Sequence, residues 1–144
     1  MHDQLVKDWM TANPITIAED ATLPDAHQLM KEYSIRRLPV VDRHGKMVGI
    51  VSQTAVREAE PSDATTLSIY ELNYLLAKLQ VKKIMTRDVI SLKPNSSIAE
   101  AAKIMLDHKI GGLPVVEDEK VVGIITESDI FRMVVKNYAV REEA

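Results

Sequence analysis

The sequence predicts an α+β chain made of two copies of one β-α-β-β-α unit, and three observations carry that expectation. Sliding the chain by 75 places sets Val6–Val41 over Val81–Val116 with 12 of 36 pairs identical, a self-similarity that marks a duplicated supersecondary unit. Each copy has a hydroxyl three residues before an acid ahead of an apolar stretch of helical period, Thr22-Leu23-Pro24-Asp25 and Ser97-Ile98-Ala99-Glu100. Each also has a Leu-Pro-Val-Val run, a polar turn and a second apolar run, which together read as a hairpin.

The elements follow in order. Ile15-Thr16-Ile17 and Val89-Ile90-Ser91-Leu92 read as short opening strands. The helices after the capping boxes run to about Tyr33 and His108. They bury Ala26, Leu29 and Met30 in one copy and Ala101, Ile104 and Met105 in the other. The hairpins pair Leu38–Val41 with Met47–Val51 and Leu113–Val116 with Val121–Ile125. One residue fewer in the second turn, EDEK against DRHGK, moves the offset from 75 to 74. Ser52 and Thr126 then open the closing helices. Residues 1–60 form the first copy and 81–144 the second. Between them EAEPSDATT reads as a connector, and Ser68-Ile69-Tyr70-Glu71 opens a helix through about Gln80 with Leu72, Leu75, Leu76 and Leu79 on one side. Packing within the chain is the plain expectation for that helix, and a cross-unit or dimer contact is the other.

Composition removes several classes of function. The chain has 144 residues, 46% of them hydrophobic and 27% charged, with a net charge of −3 and 4% aromatics. That length supports one well-packed domain or two small halves sharing a core. With neither a basic surface nor aromatic platforms, it is not expected to bind nucleic acid. It has no Cys, so neither a disulfide framework nor a thiolate metal site can form. MHDQLVKDWM does not open with a basic, then apolar, leader, and no apolar run approaches a membrane span, so the expected location is the cytoplasm. His2, His27, His44 and His108 lack metal-ligand spacing. No nucleophile-base arrangement, Gly-rich phosphate loop or paired-carboxylate motif is visible, so neither an enzyme nor a metal site is expected.

The two closing phrases differ in one informative place. GIITESD (residues 123–129) carries Thr126 and Asp129, whereas GIVSQTA (residues 49–55) keeps the hydroxyl as Ser52 and has Ala55 in place of the acid. A carboxylate can accept both hydroxyls of a ribose, each charge-assisted bond contributing about 1.5–3 kcal/mol. Helix N-termini favour anions, so the hydroxyl and amides at this end could meet a phosphate. The same spacing also suits a capping box in which Asp129 only reaches back to its own helix end.

Met-Thr before the first strand, Leu-Pro-Val-Val in the hairpin and Gly-Ile-Ile-Thr-x-x-Asp at the end, in order and twice over, make the chain resemble a tandem pair of CBS domains, a Bateman module. The resemblance covers about Val6 to Val135, and the overall look is similar to stand-alone bacterial and archaeal pairs and to acetoin-utilization proteins. In some relatives a further small domain follows; with the residues ending at NYAVREEA, any such domain is expected to be absent or to have been removed. The resemblance implies two repeats packed about a pseudo-twofold axis, with clefts for AMP, ADP or ATP, or for S-adenosylmethionine or a dinucleotide such as NAD. It also implies a homodimer that regulates an unidentified partner without catalysis of its own. By the family pattern, Thr126 and Asp129 would work with Met10, Pro14, Ile15, Ile35, Arg36 and Arg37, Pro14 and Ile15 flanking adenine and the arginines approaching phosphates. A second, weak or empty cleft would combine Ser52 and Ala55 with Val89, Ile90, Ile110, Gly111 and Gly112. Many relatives have a basic residue between the Thr and the Asp, where this chain has Glu127-Ser128; that favours AMP over ATP, or turns Glu127 away, or lets it help hold a hydrated Mg2+. The alternative is a ligand-free scaffold for dimerisation or partner binding.

Overall fold

The computed structural model describes residues 4–60 and 68–138. His2, most of the expected connector and the last six residues lie outside the described residues. The fold is α+β, and the described residues form six short strands and five helices in the order β1 (Thr11–Ala12), β2 (Ile17–Ala18), α1 (Leu23–Glu32), β3 (Arg37–Val41), β4 (Met47–Ser52), α2 (Gln53–Ala59), α3 (Ile69–Lys78), α4 (Ile98–His108), β5 (Gly112–Glu117), β6 (Lys120–Thr126) and α5 (Glu127–Tyr138). Single 3-10 turns at Val6–Asp8 and Val81–Lys83 open the two repeats.

The chain divides into two compact units, one of residues 1–14 and 90–144 and the other of residues 15–89. These units are cut differently from the sequence repeats. In the first unit the three-stranded sheet has the order β1-β6-β5, with Thr11 opposite Ile124 and Ala12 opposite Gly123; an isolated parallel bridge joins Leu92 to Val115 on the far side. In the second unit the order is β2-β3-β4, with β2 parallel to β3, and an isolated antiparallel bridge joins Thr86 to Ile50. The two ladders are thus equivalent. In each, the Met-Thr segment that leads one repeat pairs with the last strand of the other.

The opening strands are shorter than the sequence suggests. The first is only Ile17–Ala18, and at residues 89–92 only the Leu92 bridge forms. A two-residue ladder is too short to carry the period-2 signature of a strand, so β1 gives no sequence signal either.

Helices α3 and α4 start where a hydroxyl precedes an acid by three residues. Ser97 Oγ accepts the Glu100 N–H at 3.0 Å, and Ser68 Oγ accepts the Glu71 N–H at 3.2 Å. Lys109, with φ at 53°, closes α4 in the left-handed region. The second hairpin turns through Asp118 and Glu119, both with positive φ, as a two-residue loop of type I′ requires. The first hairpin is longer and uses Gly45 at φ 80°.

Each unit has its own core. Val6, Leu92, Ala101, Leu113, Val115, Ile125 and Met133 anchor the first, and Leu23, Ala26, Leu38, Val40, Val51, Val56 and Val81 the second. Leu76 and Leu79 of the α3 segment pack against the second core, while Leu75 faces outward. The intrachain packing expected for α3 is therefore present, although none of its residues is fully buried.

Candidate ligand site

The site grows from the junction of β6 and α5. Ile125 is buried in the sheet, Thr126 ends the strand, and the turn into α5 carries Asp129 inward together with Met133 one turn later. Asp129 is 4% exposed and is the one buried charged residue among the described residues.

Both oxygens of its carboxylate are engaged. Oδ2 accepts the Thr126 N–H at 2.9 Å and the Thr126 hydroxyl at 3.1 Å. Oδ1 accepts Arg132 Nη1 at 2.8 Å, from a side chain that is itself 63% exposed. The capping interaction anticipated from the Thr-x-x-Asp spacing is therefore formed. The hydroxyl proton of Thr126 points at Asp129, and the Glu127 N–H is donated to the Gly111 carbonyl at 3.1 Å. A phosphate at this helix end would accordingly not meet the Thr126 N–H, its hydroxyl proton or the Glu127 N–H as they stand.

The start of α1 supplies an internal comparison. Thr22 donates its N–H and its hydroxyl to Asp25 Oδ2, each at 3.0 Å, which is the Thr126–Asp129 cap repeated in an exposed place. Capping alone therefore requires neither a buried carboxylate nor a partner on its second oxygen, and both distinguish Asp129 from Asp25. At the corresponding junction of the second unit, Ser52 Oγ accepts the Ala55 N–H at 3.1 Å, and no carboxylate stands at position 55. There the Gln53 N–H is donated to the Arg36 carbonyl at 2.7 Å, as Glu127 is to Gly111.

The other sequence-derived residues divide between the units. Met10 and Pro14 belong with Thr126 and Asp129, and pairing of β1 with β6 lays the Met10 side chain over Gly123, at the start of the GIITESD phrase. Ile15, Ile35, Arg36 and Arg37 belong to the second unit; Arg36 is exposed, and Arg37 is half-buried and partnered. Of the weaker set, Ser52 and Val89 lie in the second unit and Ile90, Ile110, Gly111 and Gly112 in the first. Arg132 belongs to none of the motifs above, although the Asp-x-x-Arg spacing on one helix is itself a pairing signal.

Among the described residues no group of three or more metal-ligating side chains is assembled, and no helix is long and apolar enough to cross a membrane. His27 stands at the surface, with Nδ1 3.2 Å from Glu60 Oε1.

Two capped hairpin units of this topology, each closing on a hydroxyl-led helix, define a CBS pair. The chain belongs to the CBS domain family, whose model matches residues 6–62 and 81–136. Among solved structures it is similar to a candidate acetoin utilization protein (AcuB) from Vibrio cholerae, with 36% identity and a TM-score of 0.80 over 99% of this chain and 98% of that one. It is also similar to the CBS domain pair of protein MJ0100 in complex with 5′-methylthioadenosine and S-adenosyl-L-methionine, with 31% identity and a TM-score of 0.77 over 94% and 99%. CBSX2 in complex with AMP gives 27% identity and a TM-score of 0.78 over 94% and 98%. Among curated proteins, L-aspartate semialdehyde sulfurtransferase of Methanocaldococcus jannaschii is 33% identical over 130 residues. That match spans 90% of this chain but only 23% of the relative's length.

Proposed function

We propose that this chain is a non-catalytic sensor of an adenosine ligand, in which Asp129 receives the ribose. The burial of a carboxylate that caps its helix through one oxygen and turns the other to an exposed side chain carries this reading; the exposed Asp25 shows that the cap by itself needs no such burial. Similar CBS pairs hold AMP, 5′-methylthioadenosine or S-adenosyl-L-methionine, ligands whose common part is adenosine. Met10, Pro14, Ile15, Ile35, Arg36 and Arg37 are proposed as further contacts, the arginines toward phosphate. With Glu127 exposed in the first turn of α5, AMP or an uncharged adenosine derivative is favoured over ATP, unless Mg2+ offsets the repulsion. The Ser52 and Ala55 end lacks the ribose acceptor and is proposed to be weak or empty.

A thermal-shift screen with AMP, ADP, ATP, NAD, 5′-methylthioadenosine and S-adenosylmethionine tests the reading. A ligand at a hundredfold excess over its Kd stabilises by about 2.7 kcal/mol. Stabilisation by at least one of these is expected; no shift with any of them at millimolar concentration would leave the scaffold reading in its place.

The proposal includes a homodimer. Phe131, Val134, Val135 and Tyr138 form an outward stripe on α5, with exposures of 64%, 44%, 66% and 64%. An uncharged stripe at i, i+3, i+4 and i+7 is self-complementary under twofold symmetry. Light scattering should give twice the chain mass, and Val135→Glu should give the single chain mass. A monomeric parent protein at tens of micromolar would rule the dimer out.

A further inference from the structure

We infer that Arg132 is a latch on the ribose acceptor, competing with the ligand for Asp129 Oδ1 and so setting how strongly the site distinguishes ribose from deoxyribose. The inference rests on the reading that Asp129 receives ribose. An ionised carboxylate offers about four lone-pair positions. Three are already taken: two on Oδ2 by the N–H and hydroxyl of Thr126, and one on Oδ1 by Arg132. A ribose that presents both hydroxyls needs two. One of the present donors must therefore leave before the clamp can close.

The three donors are not equally free to go. The Thr126 N–H belongs to the main chain at the strand end, and the Thr126 hydroxyl shares the same oxygen on a half-buried residue, so removing either breaks the helix cap. Arg132 is 63% exposed, makes a single hydrogen bond to the carboxylate and can satisfy its donors with water once it swings out. It is the donor with the smallest cost of release. In the ligand-free protein its pairing keeps the buried Oδ1 satisfied; on binding, the second ribose hydroxyl takes its place. Ser52 and Ala55 have no equivalent, since no carboxylate is there to be held.

Isothermal titration of the full chain and of Arg132→Met with adenosine and 2′-deoxyadenosine tests the latch. These probes carry no phosphate, so the lost charge at position 132 does not act on the ligand directly. Removing an ion pair whose Arg132 side is exposed, and which binding must break, should tighten adenosine about two- to fivefold. The affinity for 2′-deoxyadenosine, which uses one hydroxyl fewer, should stay unchanged, and Arg132→Lys should restore the parent ratio. Equal changes for the two ligands, or weaker adenosine binding by Arg132→Met, would overturn the latch while leaving the ribose site intact. If neither parent nor variant binds adenosine, the ribose reading fails and the latch with it. A melting temperature of Arg132→Met within a few degrees of the parent confirms that the comparison is between folded proteins.

Discussion

The main-chain carbonyl oxygen of Thr86 lies 2.8 Å from the position a β-carbon would take on Gly49. Gly123 occupies the equivalent place in the other ladder, but there the nearest atoms all belong to the Met10 side chain. Both contacts arise from the pairing of a Met-Thr segment with the closing strand of a hairpin. The two glycines therefore differ in what could give way.

Gly49→Ala is expected to destabilise by about 1–3 kcal/mol, because a carbonyl held in the Ile50–Thr86 ladder cannot step aside without loss of its hydrogen bonds. Gly123→Ala should cost less, since the flexible Met10 thioether can repack. Chemical denaturation of the two variants checks the ranking; an equal or reversed order would contradict it.

Asp25→Ala isolates the cost of the cap. It removes the acceptor of the Thr22 N–H and hydroxyl at an exposed helix start, so a loss of about 0.5–1.5 kcal/mol is expected with no effect on ligand affinity. Calorimetric melting with and without ligand measures both. A change in affinity would mean that the two Thr-x-x-Asp devices do not have separate roles.

Asp42 gives the first hairpin a pH dependence. Its carboxylate accepts the Lys46 N–H at 3.0 Å and the His44 N–H at 2.8 Å, and the Lys46 bond, foremost, holds its pKa below the ordinary carboxylate value. A group depressed by folding stabilises the native state above its unfolded pKa and ceases to do so as the pH falls through its folded one. Melting measured from pH 7 down to pH 3 should show a decline below about pH 4 that is smaller in Asp42→Asn. Identical profiles would contradict this assignment.

The sequence made the repeat, the hairpins and all five helices legible, because each is written locally: Ser97 before Glu100, Ser68 before Glu71, Leu-Pro-Val-Val before a turn. It did not show that Thr11 pairs with Ile124 and Thr86 with Ile50, since a two-residue ladder between distant segments leaves no period. Of the candidate site, the Thr126–Asp129 spacing was plain and its double meaning could be stated. What could not be read was that Asp25 forms its cap in the open and Asp129 forms its own in the interior. That difference depends on tertiary burial, which neither phrase encodes.

Titration of the full chain with adenosine or 5′-methylthioadenosine, beside Asp129→Asn and Asp25→Ala, decides whether Asp129 receives the ribose. Losing two charge-assisted hydrogen bonds should weaken binding at least about a hundredfold. One principal site per chain is expected in the parent and in Asp25→Ala, and no measurable site in Asp129→Asn. Two equal, tight sites per chain, or undiminished binding by Asp129→Asn, would contradict it.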